Sequence, residues 1–218
     1  MSGAKNGKLH ITNGEYFNEY IKTKEEGTFI PFSEAMIQGN PTLPIFSNVF
    51  VLERCKTHNV SEKLYREKMR AYFSFITNLT EYDELRLWFG EDTFCQMNLL
   101  TLLAHLEQEN YKGKIFLTII DDETRRILKE VGQVRVEGAL TAYKTLFLDG
   151  GETSFSLQSI NNASLEYLRL KNGDNELALY VRNNKGKERQ RLLIDLLDLG
   201  KKYGLSVEMA EKIIDSEL

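Results

Sequence analysis

From Lys8 to Asp122 the chain alternates short apolar runs with longer amphipathic ones, and that alternation restricts the folds open to it. Strand-like runs at 8–12, 28–32, 84–89 and 114–120 are separated by helix-like segments at 15–24, 61–78 and 92–108. A strand followed by a helix and another strand builds a parallel sheet with crossover helices. The expected fold class is therefore α/β, a Rossmann-like, mostly parallel sheet. The acidic pair Asp121-Asp122 is expected to open a further helix at 123–131. Beyond Gly132 the pattern changes to short helical segments at 139–148, 163–170, 176–181, 188–203 and 207–216, divided by Asn-rich and Gly-rich breaks. The expected division is an α/β domain over 1–131 and a helical C-terminal region over 132–218.

Composition narrows the function classes. With 42% hydrophobic and 28% charged residues among 218, the chain has the make-up of a folded globular protein. A net charge of −4 argues against a nucleic-acid backbone as the main partner. No apolar run approaches the roughly 18 residues of a membrane span. Residues 1–8 lack the apolar stretch of a signal peptide and read as a flexible lead-in, so cytoplasm is the expected location. Cys55 and Cys95 are too few for a disulfide framework and are expected to be reduced.

Three strand-like runs stop at polar residues suited to a site. They are Asn13-Gly14-Glu15, Ser33-Glu34 and Gly90-Glu91-Asp92. In an open α/β sheet, ligands bind outside the carboxyl ends of the strands. Parallel strands would bring Glu34, Glu91, Asp92, Asp121 and Asp122 to one edge with Asn13 and Ser33. Such carboxylates would hold Mg²⁺, or one of them would act as a general base. Asp92 and one of Asp121 and Asp122 also stand where helix N-caps belong, where a side chain need only satisfy backbone N–H groups. Gln96 follows Asp92 by one helical turn and shares its face. Arg54, just after an apolar run, is a candidate anion clamp. No glycine-rich dinucleotide fingerprint and no phosphate-binding loop of the ATPase type occurs. His10, His58 and His105, on a strand, a loop and a helix, assemble no nucleophile–base pair by spacing.

The C-terminal half offers a rival. Residues 182–191 carry five basic side chains against one acidic, and two helices meet at a turn at Gly204, as in DNA-binding helix-turn-helix units. The second helix bears Glu208, Glu211, Asp215 and Glu217, which would repel phosphates. A helical cap packed on the sheet or on a partner is expected instead.

Leu9-His10-Ile11-Thr12-Asn13-Gly14-Glu15, the segment Ile30-Pro31-Phe32-Ser33-Glu34 with Gly39 soon after, and the stretch from Leu87-Trp88 through Asp92, Cys95 and Gln96 to Leu99 resemble the bacterial domain-of-unknown-function 1835 family. The likeness covers about the first half of the chain. It implies a small Rossmann-like domain in a bacterial protein, and it brings no established activity. It maps Asn13, Gly14, Glu34, Gly39, Asp92 and Gln96 onto matching or near-matching positions. Glu15 and Glu34 stand where that family usually has Asp, Glu91 where it often has His, and Cys95 where it often has Asp.

The expected function is binding of a small anionic molecule, phosphate- or nucleotide-like, at the strand ends. Asn13, Gly14, Ser33, Glu91, Gln96 and Arg54 are its candidate ligand-binding residues. Turnover would be metal-assisted hydrolysis or group transfer, with Asp92 and Glu34 as ligands or base and Mg²⁺ as the cofactor. The alternative is a non-catalytic regulatory protein that binds a protein partner, or a second copy of itself, through its C-terminal helices.

Overall fold

A computed structural model describes residues 7–173 and 175–218, so most of the lead-in at 1–8 lies outside the described residues. Five strands form one sheet: β1 (Gly7–Asn13), β2 (Thr28–Phe32), β3 (Tyr82–Gly90), β4 (Lys114–Asp121) and β5 (Arg126–Val134). The order is β2-β1-β3-β4-β5, with β1 to β4 parallel and β5 antiparallel. The chain first runs outward from β1 to β2, then crosses back to β3, so the strand order reverses between β1 and β3. That reversal opens a crevice at the carboxyl ends of these two strands, beside Asn13 and Gly90.

Helix α1 (Glu15–Ile21) covers one face of the sheet, where Phe17 and Ile21 pack with Trp88 and Ile120. His10 is buried on this side, stacked on Phe29 at 4.5 Å and accepting a hydrogen bond from Trp88 Nε1 at 3.1 Å. The opposite face takes α2 (Asn48–His58), α3 (Glu62–Lys68), α4 (Arg70–Thr77) and α5 (Thr93–Gln108). α5 is buried on every side from Cys95 to Leu106, because the C-terminal helices pack over its outer surface. These are α6 (Ala139–Tyr143), which runs on through a π turn at Lys144–Leu148, α7 (Gln158–Lys171), α8 (Glu176–Asn183), α9 (Arg189–Leu199) and α10 (Val207–Glu217). One continuous core runs from Leu9 of β1 to Ile214 of α10. Among the described residues no helix is long and apolar enough to cross a membrane.

The structure differs from the sequence expectations in three elements. The segment expected as a helix at 123–131 is a hairpin turn and β5. Asp121 Oδ1 accepts the backbone N–H of Glu123 at 2.9 Å and of Thr124 at 3.0 Å, and Arg125 at φ 59° reverses the chain. The β4–β5 register skips Leu128 and Val131, and these two extra residues erase the alternation that marks a strand. Helix α2 was hidden for a related reason: its inward stripe is Phe50, Val51, Arg54 and Cys55, and a charged residue inside the stripe breaks the apolar period. His58 thus ends a helix and does not sit in a loop. The single helix expected over 61–78 starts at its Ser61 cap but divides at Met69 into α3 and α4.

Candidate functional site

The crevice at the strand-order reversal is a cleft of about 1050 Å³. Its floor is Asn13, Glu91, Asp92, Cys95, Asp121 and Asp122; Ile194, Leu197 and Asp198 of α9, with Lys201, Lys202, Gly204 and Leu205 beyond it, form the far wall. The sheet edge and the C-terminal helices therefore build the site together.

Asp92 is the N-cap of α5, accepting Cys95 N–H at 2.9 Å, and it also lines the cleft. The turn after α9 closes on it. Thr93 Oγ1 donates to the Lys202 carbonyl at 3.1 Å, and Gly204, at φ 65°, comes so close to Asp92 that a Cβ there would collide with the carboxylate. Asn13 holds the floor: its Nδ2 donates to Cys95 Sγ at 3.0 Å while its Oδ1 accepts from Asn98 Nδ2 at 2.8 Å. Asn98 also donates to the Glu34 carbonyl at 2.6 Å and accepts Met36 N–H at 2.9 Å. This one buried amide ties together the ends of β1, β2 and α5, and the sequence reading passed over it because polar residues inside a helix carry no spacing signal.

Asp122 is the unusual group. Its Oδ1 is buried with no hydrogen-bond partner among the described residues, and its Oδ2 has only the Cys95 thiol at 3.9 Å. Burial, followed by the negative charges of Asp92 and Asp121, raises its pKa to about 6. Burial and the same kind of charge, from Asp92 and Asp122, hold the Cys95 thiol well above its ordinary value. Cys95 is thus a neutral thiol, not a nucleophile poised for attack.

Of the remaining expected site residues, all but Glu91 lie outside the cleft. Glu91 lines the cleft, but Glu34 does not. The Glu34 carboxylate is buried among Arg54 at 2.9 Å, His58 at 3.0 Å and the Tyr65 hydroxyl, which donates at 2.5 Å. The anion that Arg54 clamps is this chain's own. Ser33 Oγ donates to Glu15 at 3.2 Å. Gly14 N–H donates to the Phe32 carbonyl at 3.2 Å, so this donor of the β1 turn already has an acceptor within the fold. Gln96 is fully buried and its Nε2 donates to the Gly90 carbonyl at 2.5 Å, bracing the end of β3. His105 is also inside, its Nδ1 2.8 Å from the Tyr72 hydroxyl.

The cleft's electrostatics are acidic. Glu91, Asp92, Asp121, Asp122, Glu123 and Asp198 face two lysines, and both lysines have carboxylate partners: Lys201 with Asp198 at 2.8 Å, Lys202 with Glu176 at 2.8 Å and Glu166 at 3.0 Å. Among the described residues, no three His, Cys, Asp or Glu side chains come together to hold a metal ion. The basic run at 182–191 is largely neutralised within its own helices, by Arg182–Glu217, Lys187–Asp195, Arg189–Asp215 and Arg191–Asp195 pairs. No protein-family model matches the chain, and no curated protein is significantly similar to it.

Proposed function

We propose that this chain is a ligand-binding protein whose site is the cleft at the β1–β3 reversal, and that its ligand brings positive charge to Asp122 and Asp92. The supporting observation is the half-buried Asp122 carboxyl beside two other carboxylates, with its buried Oδ1 unpaired among the described residues. An approaching cation would supply the missing partner and relieve the repulsion at once. A phosphate- or nucleotide-like ligand suits these walls as its Mg²⁺ complex. Mg²⁺ is commonly held by one or two carboxylates together with substrate phosphates, so the protein need not supply a full ligand set. The apolar wall of Phe94, Ile194, Leu197 and Leu205 would take the organic part of such a molecule. Asp122 would also serve as a proton acceptor near neutral pH, the range useful to a general base. Kinship with the domain-of-unknown-function 1835 family, on the strand-end motifs, is part of the same proposal.

The test is a thermal-shift titration of the full chain with Mg²⁺ alone, ADP alone, and both together, repeated on Asp122→Asn. A ligand at 100 times its Kd stabilises by about 2.7 kcal/mol. The expected result is a shift that needs both components and is lost in the variant. A shift with both components that Asp122→Asn leaves intact overturns the proposal. The absence of any shift also overturns it, and favours a protein partner on the C-terminal helices.

A further inference from the structure

A second group of side chains, outside the cleft, collects positive charge around the turn that follows β2. Arg54 Nη1 donates to the Gln38 carbonyl at 2.5 Å, and Lys171 Nζ donates to the next carbonyl, that of Gly39, at 3.2 Å. Lys212 Nζ lies 3.4 Å from the Gln38 side-chain oxygen. Three cations thus converge on two consecutive residues. The carboxylates paired with them are Glu34 on Arg54 and Glu208 on Lys212, while the polar contact of Lys171 among the described residues is the Gly39 carbonyl. Gly39 takes the left-handed φ of 75° with Thr57 packed against its Cα, so the turn is held in one shape.

Two polar atoms at this turn are buried without a partner among the described residues: Arg54 Nε and Thr42 Oγ1. Arg54 is completely buried; its Nη2 donates to Glu34 and the Ala35 carbonyl, and its Nη1 to the Gln38 carbonyl. A buried guanidinium N–H without an acceptor is costly and uncommon. Thr42 connects to the same neighbourhood through its carbonyl, which accepts from the Tyr143 hydroxyl at 3.3 Å. The positive field of Arg54 reaches Tyr143, Tyr167 and Lys171, and burial together with that field lowers the pKa of Lys171. An excess of cations with unused donors at the end of a strand is the arrangement that takes an anion.

We propose that the Gln38–Thr42 turn, with Arg54 behind it and Lys171 at its mouth, is a binding site for a small oxyanion such as a phosphate group. Arg54 Nε–H and the Lys171 ammonium would donate to the oxyanion, Thr42 would add its hydroxyl, and Lys212 would contribute long-range attraction. This site is separate from the Asp122 cleft and needs no divalent cation.

The test is calorimetric titration of the full chain with inorganic phosphate in chloride-free, Mg²⁺-free buffer, using wild type, Lys171→Met and Asp122→Asn. Lys171→Met removes the ammonium, which lies 5.5 Å from the Tyr167 ring centroid, and leaves the buried Glu34–Arg54 pair in place; an unchanged urea midpoint checks that the fold is kept. The expected result is saturable binding with a Kd of about 1 mM or tighter. Lys171→Met should weaken it at least about tenfold, the usual worth of a charge-assisted hydrogen bond, and Asp122→Asn should leave it unchanged. An absence of saturable heat overturns the proposal and assigns the unused donors to ordered water. Binding unaffected by Lys171→Met, or abolished by Asp122→Asn, places the anion elsewhere and equally overturns it.

Discussion

Replacing Glu34 by Gln isolates what the strand-end carboxylate after β2 does. In the native chain its two oxygens accept from Arg54, His58, Tyr65 and the Ala35 N–H. Burial pushes its pKa up, but the hydrogen bond from His58, the charge and hydrogen bond of Arg54 and the Tyr65 hydroxyl outweigh it and hold the group at about 2. Against an ordinary value of 4.5, a lowering of this size corresponds to about 3 kcal/mol of stabilisation. Glu34→Gln also leaves a guanidinium with no exposed surface and no counter-charge, a defect that costs about 3–5 kcal/mol. For a chain of this length that is a fall in Tm of about 6–20 °C. The assay is urea unfolding at several pH values. The folded-state pKa lies below the unfolded one, so the stabilisation is complete above pH 4.5 and is lost as pH falls toward 2. The gap between wild type and variant should therefore be widest at neutral pH and narrow on acidification. Adding Arg54→Met should recover most of the loss, since an apolar replacement of both partners removes the uncompensated charge. A cost below about 1 kcal/mol at pH 7, or one that does not change with pH, would refute the reasoning.

Asp122 has the opposite sign: its folded pKa lies above the ordinary carboxylate value, so wild-type stability should decline as pH rises from 3.8 to about 6. Asp122→Asn should flatten that decline and stabilise the chain by about 1–2 kcal/mol at pH 7, allowing for partial solvent access, with no gain below pH 4. Asn98→Ala strips partners from Met36 N–H, Asn13 Oδ1 and the Glu34 carbonyl, and should cost about 2–4 kcal/mol in urea unfolding. Gly204→Ala adds a side chain at positive φ against Asp92 and should cost about 1–3 kcal/mol, with faster proteolysis at the turn after α9 as the second readout.

The parallel part of the sheet was legible because each of its strands is a nearly unbroken apolar run that stops at polar residues, the pattern of strands buried on both faces. The same stops pointed to the cleft, which Asn13, Glu91 and Asp92 line. Two elements were illegible for local reasons: paired bulges in β5 and an arginine inside the buried stripe of α2. The fate of Glu34 was illegible for a non-local one, since it is decided by Arg54, His58 and Tyr65, which lie 20, 24 and 31 residues further along the chain. The far wall of the cleft is more distant still. The turn at Gly204 looked like the corner of a helix-turn-helix unit, yet in the fold it seats the C-terminal helices on the Asp92 cap.

Two acidic residues that look alike in the sequence, each just after a strand, thus end in opposite electrostatic states. Glu34 has a donor for every demand its charge makes, and a carboxylate so fully compensated has no affinity left for an added cation. Asp122 has a weak thiol donor on one oxygen, no partner among the described residues on the other, and two like charges for neighbours. Folding alone gives no reason to keep such a group, since Asn at that position would remove the repulsion and fit the same space. Buried polar groups without partners are few in native proteins, and they concentrate where a ligand completes them. Arg54 carries the same contrast within one side chain: its terminal nitrogens donate to Glu34 and to backbone carbonyls, while Nε, like Asp122 Oδ1, has no partner among the described residues.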